Sequence, residues 1–135
     1  MHLEGECNCG GVHYSYDGTP DLVGFCHCKA CQRQAGGTGS FFVCVDDAAL
    51  HISGDTLTKF ITIGDSGKNV NRFFCERCGS PIASRCESLP GKAFIKAGTL
   101  KDSSELIPTA EVYCEEALDW MVPLPNVDRF ERAPA

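Results

Sequence analysis

Long apolar runs, basic clusters and low-complexity tracts are all missing from this sequence of 135 residues. No window approaches the roughly 18 apolar residues that a membrane-spanning helix needs, and residues 1–6 show no basic segment leading into an apolar stretch. Because no Gly/Ser, Gln/Asn or Pro-rich tract suggests a disordered arm, we expect the chain to fold nearly throughout. These absences predict a soluble, cytoplasmic protein without a membrane partner, and the length suits a single domain over residues 1–135.

Positive charge is also scarce. Twelve Lys and Arg residues stand against eighteen Asp and Glu residues, which gives a formal net charge of -6 at pH 7, and no Lys/Arg cluster is longer than two residues. A surface of this kind repels a phosphate backbone. We therefore do not expect nucleic acid as a partner.

Helical periodicity is weak throughout the chain. Short helical turns are expected after Cys31, at residues 46–50 and at 115–121, but none has the ten or more patterned residues of a stable helix. Turn signals such as Asp17-Gly18-Thr19-Pro20 instead separate runs rich in aromatic and β-branched residues. Strands are expected at residues 12–16, 40–45, 57–63, 70–74, 93–97 and 110–114. The sequence thus predicts a mainly β fold built of small sheets with long connections.

Cysteine, by contrast, is abundant, with ten residues in the chain. A reducing compartment argues against a disulfide framework and favours metal binding or catalysis by the same thiols. Seven of the ten fall into three short motifs. These are Cys7-Asn8-Cys9-Gly10, Cys26-His27-Cys28-Lys29-Ala30-Cys31 and Cys75-Glu76-Arg77-Cys78-Gly79.

Glycine sorts these motifs into two kinds. A tetrahedral zinc ion requires its ligand sulfurs to lie within roughly 4 Å of one another, so the backbone must curl at each motif. Gly10 and Gly79 directly follow a cysteine pair, where they allow that curl and let backbone N–H groups approach the sulfurs. We therefore expect the two glycine-followed pairs to form one closed, structural zinc site, which adds folding free energy.

The triple cysteine motif has no such glycine and stands alone. Three protein ligands and one open position are the arrangement of a catalytic zinc site, so Cys26, Cys28 and Cys31 are our candidates for the reactive centre. The alternative is a fourth protein ligand, for which the candidates are His27, Cys44, Cys86 and Cys114. Of these, Cys44 and Cys114 have the sequence context of small residues packed in strands, and Cys86 follows Arg85, which favours a reactive thiol.

The order of the motifs resembles that of the glutathione-dependent formaldehyde-activating enzyme family. The resemblance extends from Gly5 to Trp120. It consists of Cys-x-Cys-Gly, then Cys-His-Cys-x-x-Cys-Gln followed by Gly36, then Arg72-Phe73-Phe74-Cys75-x-x-Cys78-Gly79, and finally Ala97-Gly98-Thr99-Leu100 and Trp120. One departure is that many members have a His-Ile pair where this chain has Glu111-Val112.

The resemblance implies a complex β fold of small antiparallel sheets, shared with a guanine-nucleotide exchange factor and with methionine sulfoxide reductases of the B type. It also implies two zinc ions per chain. The structural zinc would be held by Cys7, Cys9, Cys75 and Cys78, and the catalytic zinc by Cys26, Cys28 and Cys31. The implied activity is the condensation of formaldehyde with glutathione to S-(hydroxymethyl)glutathione, a carbon–sulfur lyase reaction in reverse, so the expected partners are a small thiol and an aldehyde.

Several further residues are candidates for supporting roles. The proton donor to the alkoxide is sought among His27, Glu76 and Glu111. Lys29 and Arg33 are candidates for binding a carboxylate of a peptide-like thiol, with two exposed surface charges as the alternative. We expect Arg72 to support the structural zinc motif, and Trp120 and Met121 to pack in the core or in a lid.

Two other functions use the same residues differently. A non-catalytic, zinc-stabilised binding module with the same fold needs only the structural site. A sulfoxide reductase is suggested by Arg85-Cys86-Glu87-Ser88, but it leaves the triple cysteine motif unexplained.

Overall fold

Short strands account for most of the regular backbone in the computed structural model, which describes residues 1–134. Within these residues there are eleven strands and one α-helix. The strands are β1 (His2–Glu6), β2 (His13–Asp17), β3 (Leu22–Cys26), β4 (Ser40–Asp46), β5 (Leu50–Ser53), β6 (Leu57–Ile63), β7 (Asn69–Cys75), β8 (Pro81–Cys86), β9 (Lys92–Lys96), β10 (Ala110–Val112) and β11 (Asp128–Arg129). The helix α1 spans Lys29–Ala35, and 3-10 turns lie at Asp47–Ala49, Ala97–Thr99 and Cys114–Glu116. The mainly β prediction is confirmed.

The strands form one small and one large sheet. The small sheet is antiparallel, in the order β1-β2-β5, and the large sheet has the order β11-β10-β3-β4-β9-β8-β7-β6. Strand β10 runs parallel to both β3 and β11, so the large sheet is mixed rather than purely antiparallel. The sequence did not indicate a sheet of this size.

Each predicted strand has a counterpart, whereas β1, β3, β5, β8 and β11 were not predicted. Strands β3 and β8 lie in the interior of the large sheet. Their sequences, LVGFC and PIASRC, do not alternate between apolar and polar residues. Strands covered on both faces lose the period of two on which the prediction rests.

The two faces of the large sheet are covered by different cores. On β4, Val43 and Val45 point to one core, which the small sheet completes with residues such as Tyr14 and Tyr16. Phe42 and Cys44 belong to a second core on the other side, as the alternation of side chains along a strand requires. Cys7 and Cys75 are part of the first core, and Cys26 and Cys31 are part of the second. The cysteine motifs therefore reach the two faces of one sheet.

The helices of residues 1–134 are all short. None has the length and apolar character needed to cross a bilayer.

Candidate metal centres

The structure brings the seven clustered cysteines together in two groups. Within each group the sulfur atoms all lie within 4.8 Å of one another, close enough to hold a metal ion. The four-cysteine site consists of Cys7, Cys9, Cys75 and Cys78, and the three-cysteine site consists of Cys26, Cys28 and Cys31. None of the ten cysteines forms a disulfide.

The four-cysteine site has the dimensions of a tetrahedral metal centre. The sulfur of Cys9 lies 3.5 Å from that of Cys7 and 3.6 Å from that of Cys75. A tetrahedron with metal–sulfur bonds of about 2.3 Å has edges of about 3.8 Å. Thiolate donors at this spacing fit zinc, which prefers four sulfur or nitrogen ligands in structural sites.

Two glycines produce the curl of the backbone at this site. Gly10 has φ +79° and Gly79 has φ +80°, in the left-handed region that glycine adopts without steric cost. Their N–H groups close tight turns by donating to the carbonyl oxygens of Cys7 and Cys75, at 3.1 and 2.8 Å. The turns expected from the Cys-Gly sequences are therefore present.

Neighbouring donors stabilise negative charge on these sulfurs. The hydroxyl of Ser80 lies 3.2 Å from the sulfur of Cys78 and lowers the pKa of this thiol to about 5. The hydroxyl of Thr56 lies 3.2 Å from Cys75, whose pKa is also lowered, mainly by that hydrogen bond. Arg77 donates from Nε to the sulfur of Cys9 at 3.1 Å. These contacts favour the deprotonated thiols that a metal requires.

The three-cysteine site is built where strand β3 runs into helix α1. Cys26 is the last residue of β3, and Cys28 is the N-cap of α1. The sulfur of Cys28 accepts a hydrogen bond from the N–H of Cys31 at 3.3 Å. A cap of this kind satisfies one of the free N–H groups at the start of a helix. The three ligands thus come from six consecutive residues.

No fourth ligand joins this group among residues 1–134. The candidates His27, Cys44, Cys86 and Cys114 all lie outside it. Without a cation, the three thiols resist joint ionisation. Hydrogen bonds from the other two thiols lower the pKa of Cys31, and the positive charges of Lys96 and Arg72 lower it further. The hydrogen bonds of Cys26 with Cys28 and Cys31 instead raise the pKa of Cys26. A bound cation would remove this conflict, because it stabilises all three thiolates at once.

A buried hydrogen-bond network connects the triple cysteine motif, through His27, to distant segments of the chain. His27 and Glu111 are each only 1% exposed, and Nε2 of His27 lies 2.7 Å from a carboxylate oxygen of Glu111. The other carboxylate oxygen accepts from the N–H of Leu124 at 3.1 Å and from the guanidinium of Arg129. Burial alone would raise the pKa of Glu111, but the hydrogen bonds from His27, Leu124 and Arg129 hold it below its ordinary value. The ring of His27 therefore points away from the metal ligands.

A cavity of about 550 Å³ lies beside both sites. One cysteine of each site lines it, Cys31 and Cys78. Its size falls within the range of small-molecule sites, about 300 to 1,000 Å³. The remaining lining residues come from β1, β3, β4, β8 and β9, from the end of α1 and from the segments that connect these elements. They are Glu6, Asn8, Phe25, Gln34, Ala35, Gly39, Ser40, Phe41, Gly79, Ser80, Pro81, Lys96, Gly98 and Thr99.

Comparison with known proteins identifies the family. A family model described as glutathione-dependent formaldehyde-activating enzyme matches residues 2–116. The chain belongs to this family. The assignment supports a formaldehyde-activating function, and the two cysteine sites are compatible with metal ions.

The fold has a counterpart among solved structures. A crystal structure of a Rhodobacter sphaeroides protein is 19% identical in sequence and superposes with a TM-score of 0.61, covering 76% of this chain and 91% of that one. At this identity the likeness concerns the fold alone. No curated protein matched the sequence.

Several expectations for this member of the family need correction. Arg72 does not support the four-cysteine site; its guanidinium donates to the side-chain oxygen of Gln34 at 2.9 Å and lies 3.9 Å from the sulfur of Cys31. Trp120 is 71% exposed, so of the two predicted roles the core is wrong and the lid stays a prediction, whereas Met121 is partly buried. Cys114 begins a 3-10 turn instead of lying in a strand.

The candidates for proton transfer and carboxylate binding do not line the cavity. His27 and Glu111 are buried against each other, and Glu76 is exposed. Lys29 and Arg33 are also exposed. None of these five residues is among those that line the cavity.

Sequence reasoning missed Lys96, which lies at the cavity wall on the same side of the sheet as Cys31. It is the last residue of β9 and pairs with Phe42 of β4. The only signal in the sequence is that Lys92, Phe94 and Lys96 share one face of a strand whose other face carries Ala93 and Ile95. This pattern does not reveal which of the two lysines is buried.

Proposed function

We propose that the protein is a zinc-dependent carbon–sulfur lyase that forms and cleaves the adduct of a small thiol with an aldehyde, S-(hydroxymethyl)glutathione above all. The family assignment supports the formaldehyde-activating part of this proposal. The observation that carries the rest is a group of three cysteines, without a fourth ligand among residues 1–134, at the wall of a cavity large enough for a peptide-like thiol.

Cys26, Cys28 and Cys31 would hold one zinc ion, and the four-cysteine site a second, structural one. When bound, the first ion would accept the sulfur of a substrate thiol as its fourth ligand and stabilise it as a thiolate. The overall reaction forms a bond between this sulfur and the aldehyde carbon, while the carbonyl oxygen takes up the proton that the thiol has lost. Cleavage is the same sequence in reverse.

The residues around the three-cysteine site would place and protect the reactants. Arg72 and Lys96 bring positive charge near Cys31, which offsets the negative charge of the thiolates. The network of His27 and Glu111 fixes the loop that carries the ligands, so the sulfurs keep their positions when substrate enters. We further propose that residues 1–135 act as one domain in the cytoplasm, where a reducing environment keeps the thiols free.

Exchange NMR tests the activity. Formaldehyde and glutathione combine spontaneously, so the rate at equilibrium is measured by two-dimensional exchange spectroscopy with and without the zinc-loaded protein. We expect faster exchange with the protein, and no acceleration when Cys28→Ser replaces one ligand of the three-cysteine site. An unchanged rate with fully metallated protein would overturn the lyase proposal and favour the non-catalytic binding module.

A metal titration separates the two functions independently of turnover. The lyase requires two metal ions per chain and a cobalt spectrum that changes when glutathione is added, since the thiol would become a ligand. A binding module needs one ion only. A cobalt spectrum that is unaffected by glutathione would count against the proposed site.

A further inference from the structure

Lys96 is a buried cation without a carboxylate partner among residues 1–134. Its side chain is 8% exposed, and Nζ donates a hydrogen bond to the hydroxyl of Ser40 at 3.0 Å. No ion pair within 4.0 Å involves it in the described part of the chain. A buried ammonium group is costly unless an anion or several hydrogen bonds compensate it. One neutral hydroxyl does so only in part.

The position of Lys96 indicates which kind of group could compensate its positive charge. It lines the cavity together with Cys31, one member of the three-cysteine site. The only carboxylate among the described lining residues is that of Glu6, which is largely exposed and lies 3.5 Å from His13. Ser40 and Gln34 add side chains that can donate hydrogen bonds. This part of the cavity therefore suits an anionic group.

We propose that Lys96 binds a carboxylate of the thiol substrate and thereby selects carboxylate-bearing thiols. This inference rests on the proposed function, because the sulfur of the same molecule would lie at the three-cysteine site. Two contacts on one molecule, sulfur at one end and carboxylate at the other, fix its orientation in the cavity. A strand residue held by packing on both sides is well suited to this role, because little conformational entropy is lost on binding.

Charge balance is the competing explanation for a lysine at this position. Three thiolates around a divalent cation carry a net charge of about -1, and Lys96 would offset it even if no substrate carboxylate came near. Arg72, which lies beside Cys31, contributes to the same balance. The two explanations differ in one respect: charge balance affects every thiol equally, whereas carboxylate binding affects only thiols that carry a carboxylate.

A pair of probes exploits this difference. Zinc-loaded wild-type protein is titrated by calorimetry with glutathione and with glutathione dimethyl ester, in which both carboxylates are esterified, and both probes are then used in formaldehyde exchange by NMR. We expect glutathione to bind about 10- to 100-fold more tightly than the ester, the range for one charge-assisted hydrogen bond. Wild-type protein that binds both probes equally would overturn the inference without any variant.

The variant Lys96→Met removes the charge and keeps a side chain of similar length. We expect it to lose the preference for glutathione while its affinity for the ester changes less than about twofold. Equal weakening for both probes would support charge balance instead, and a preference that survives in full would overturn the assignment of carboxylate binding to Lys96. The zinc content of the variant is measured as well and should remain two ions per chain. If the variant loses zinc, the inference is judged from the affinities of wild-type protein for glutathione and for its dimethyl ester.

Arg33→Met is the matched control. Arg33 is an exposed cation on α1 that does not line the cavity, so its removal changes the net charge by the same amount. The control should keep the full preference for glutathione, and its loss would contradict the assignment to Lys96. If wild-type protein binds glutathione selectively but accelerates exchange with neither probe, the lyase proposal fails while the carboxylate site stands.

Discussion

The two cysteine sites have the same donor atom but are built in opposite ways. The four-cysteine site joins segments far apart in the chain, since Cys9 and Cys75 are separated by 66 residues. The three-cysteine site takes its ligands from residues 26–31. A cross-link that closes a long loop restricts the unfolded chain much more than a local one does. The comparison supports the proposal that the first site stabilises the fold and that the second holds the reactive metal ion.

The groups that surround the cysteine sulfurs also differ between the two sites. Around the four-cysteine site, neutral hydroxyls and the exposed Arg77 contact the sulfurs. Around the three-cysteine site, the cations Lys96 and Arg72 approach Cys31, and a buried network holds the adjacent loop. Buried charges act more strongly than exposed ones because water screens them less. The second site is therefore the more sensitive to changes in its neighbours.

The largest difference is expected between Cys78→Ser and Cys28→Ser. Structural zinc sites contribute on the order of 10 kcal/mol to the folding of small zinc domains, so the first change should leave the chain largely unfolded. The second should leave a folded chain that binds one metal ion instead of two. Circular dichroism and metal analysis of both variants check this. The reverse result would exchange the roles of the two sites.

A smaller effect is expected from Glu111→Ala. The change leaves His27 and Arg129 without their shared carboxylate, and we expect a loss of about 2 to 4 kcal/mol in the free energy of unfolding. Urea unfolding of the zinc-loaded protein measures this loss, and a chelator should then remove metal faster from the three-cysteine site alone. The exposed Glu116, which accepts only from the N–H of Lys29 and lies in the same segment, provides the control Glu116→Ala. Equal acceleration of metal loss at both sites would show that the network supports the fold as a whole.

Arginine substitutions compare the electrostatics of the two sites directly. We expect Arg72→Met to weaken metal binding at the three-cysteine site about tenfold, because charge beside Cys31 is lost. Arg77→Met should change affinity at the four-cysteine site by about twofold or less, since the arginine is exposed and screened. Competition with a chromophoric chelator measures both, with Arg77→Met studied in the Cys28→Ser background. A larger effect at Arg77 would contradict the contrast in charge environment.

The smallest effect is expected from Trp120→Ala. Because this side chain is 71% exposed, its removal should change the free energy of unfolding by less than about 0.5 kcal/mol. Metal content and formaldehyde exchange should also remain at wild-type values. A clear loss of exchange with unchanged stability would instead place Trp120 over the cavity as a lid.

Much of this protein could be predicted from local patterns in the sequence. The mainly β class followed from turn residues and from alternation in segments such as residues 12–16, which overlap with β2 (His13–Asp17). The division of the cysteines into a set of four and a set of three followed from Gly10 and Gly79. Both inferences depend on physical effects that act over a few residues, namely side-chain periodicity and the conformational freedom of glycine.

Other features depended on contacts between distant segments. Arg72 reaches Cys31 across 41 residues of sequence, and His27 meets Glu111 across 84. Sequence reasoning therefore assigned Arg72 to the wrong site and did not find the network of Glu111. The pairing of Phe42 with Lys96 buries that lysine, whereas Lys92, on the same face of β9, stays partly exposed.

The sequence by itself thus determined which atoms can bind metal and how the backbone curls around them, because ligand spacing and glycine placement are local. Only the tertiary structure decided which charged groups surround each site. Strand order and register set those neighbours, and they arise from the packing of the whole sheet, which no short segment encodes.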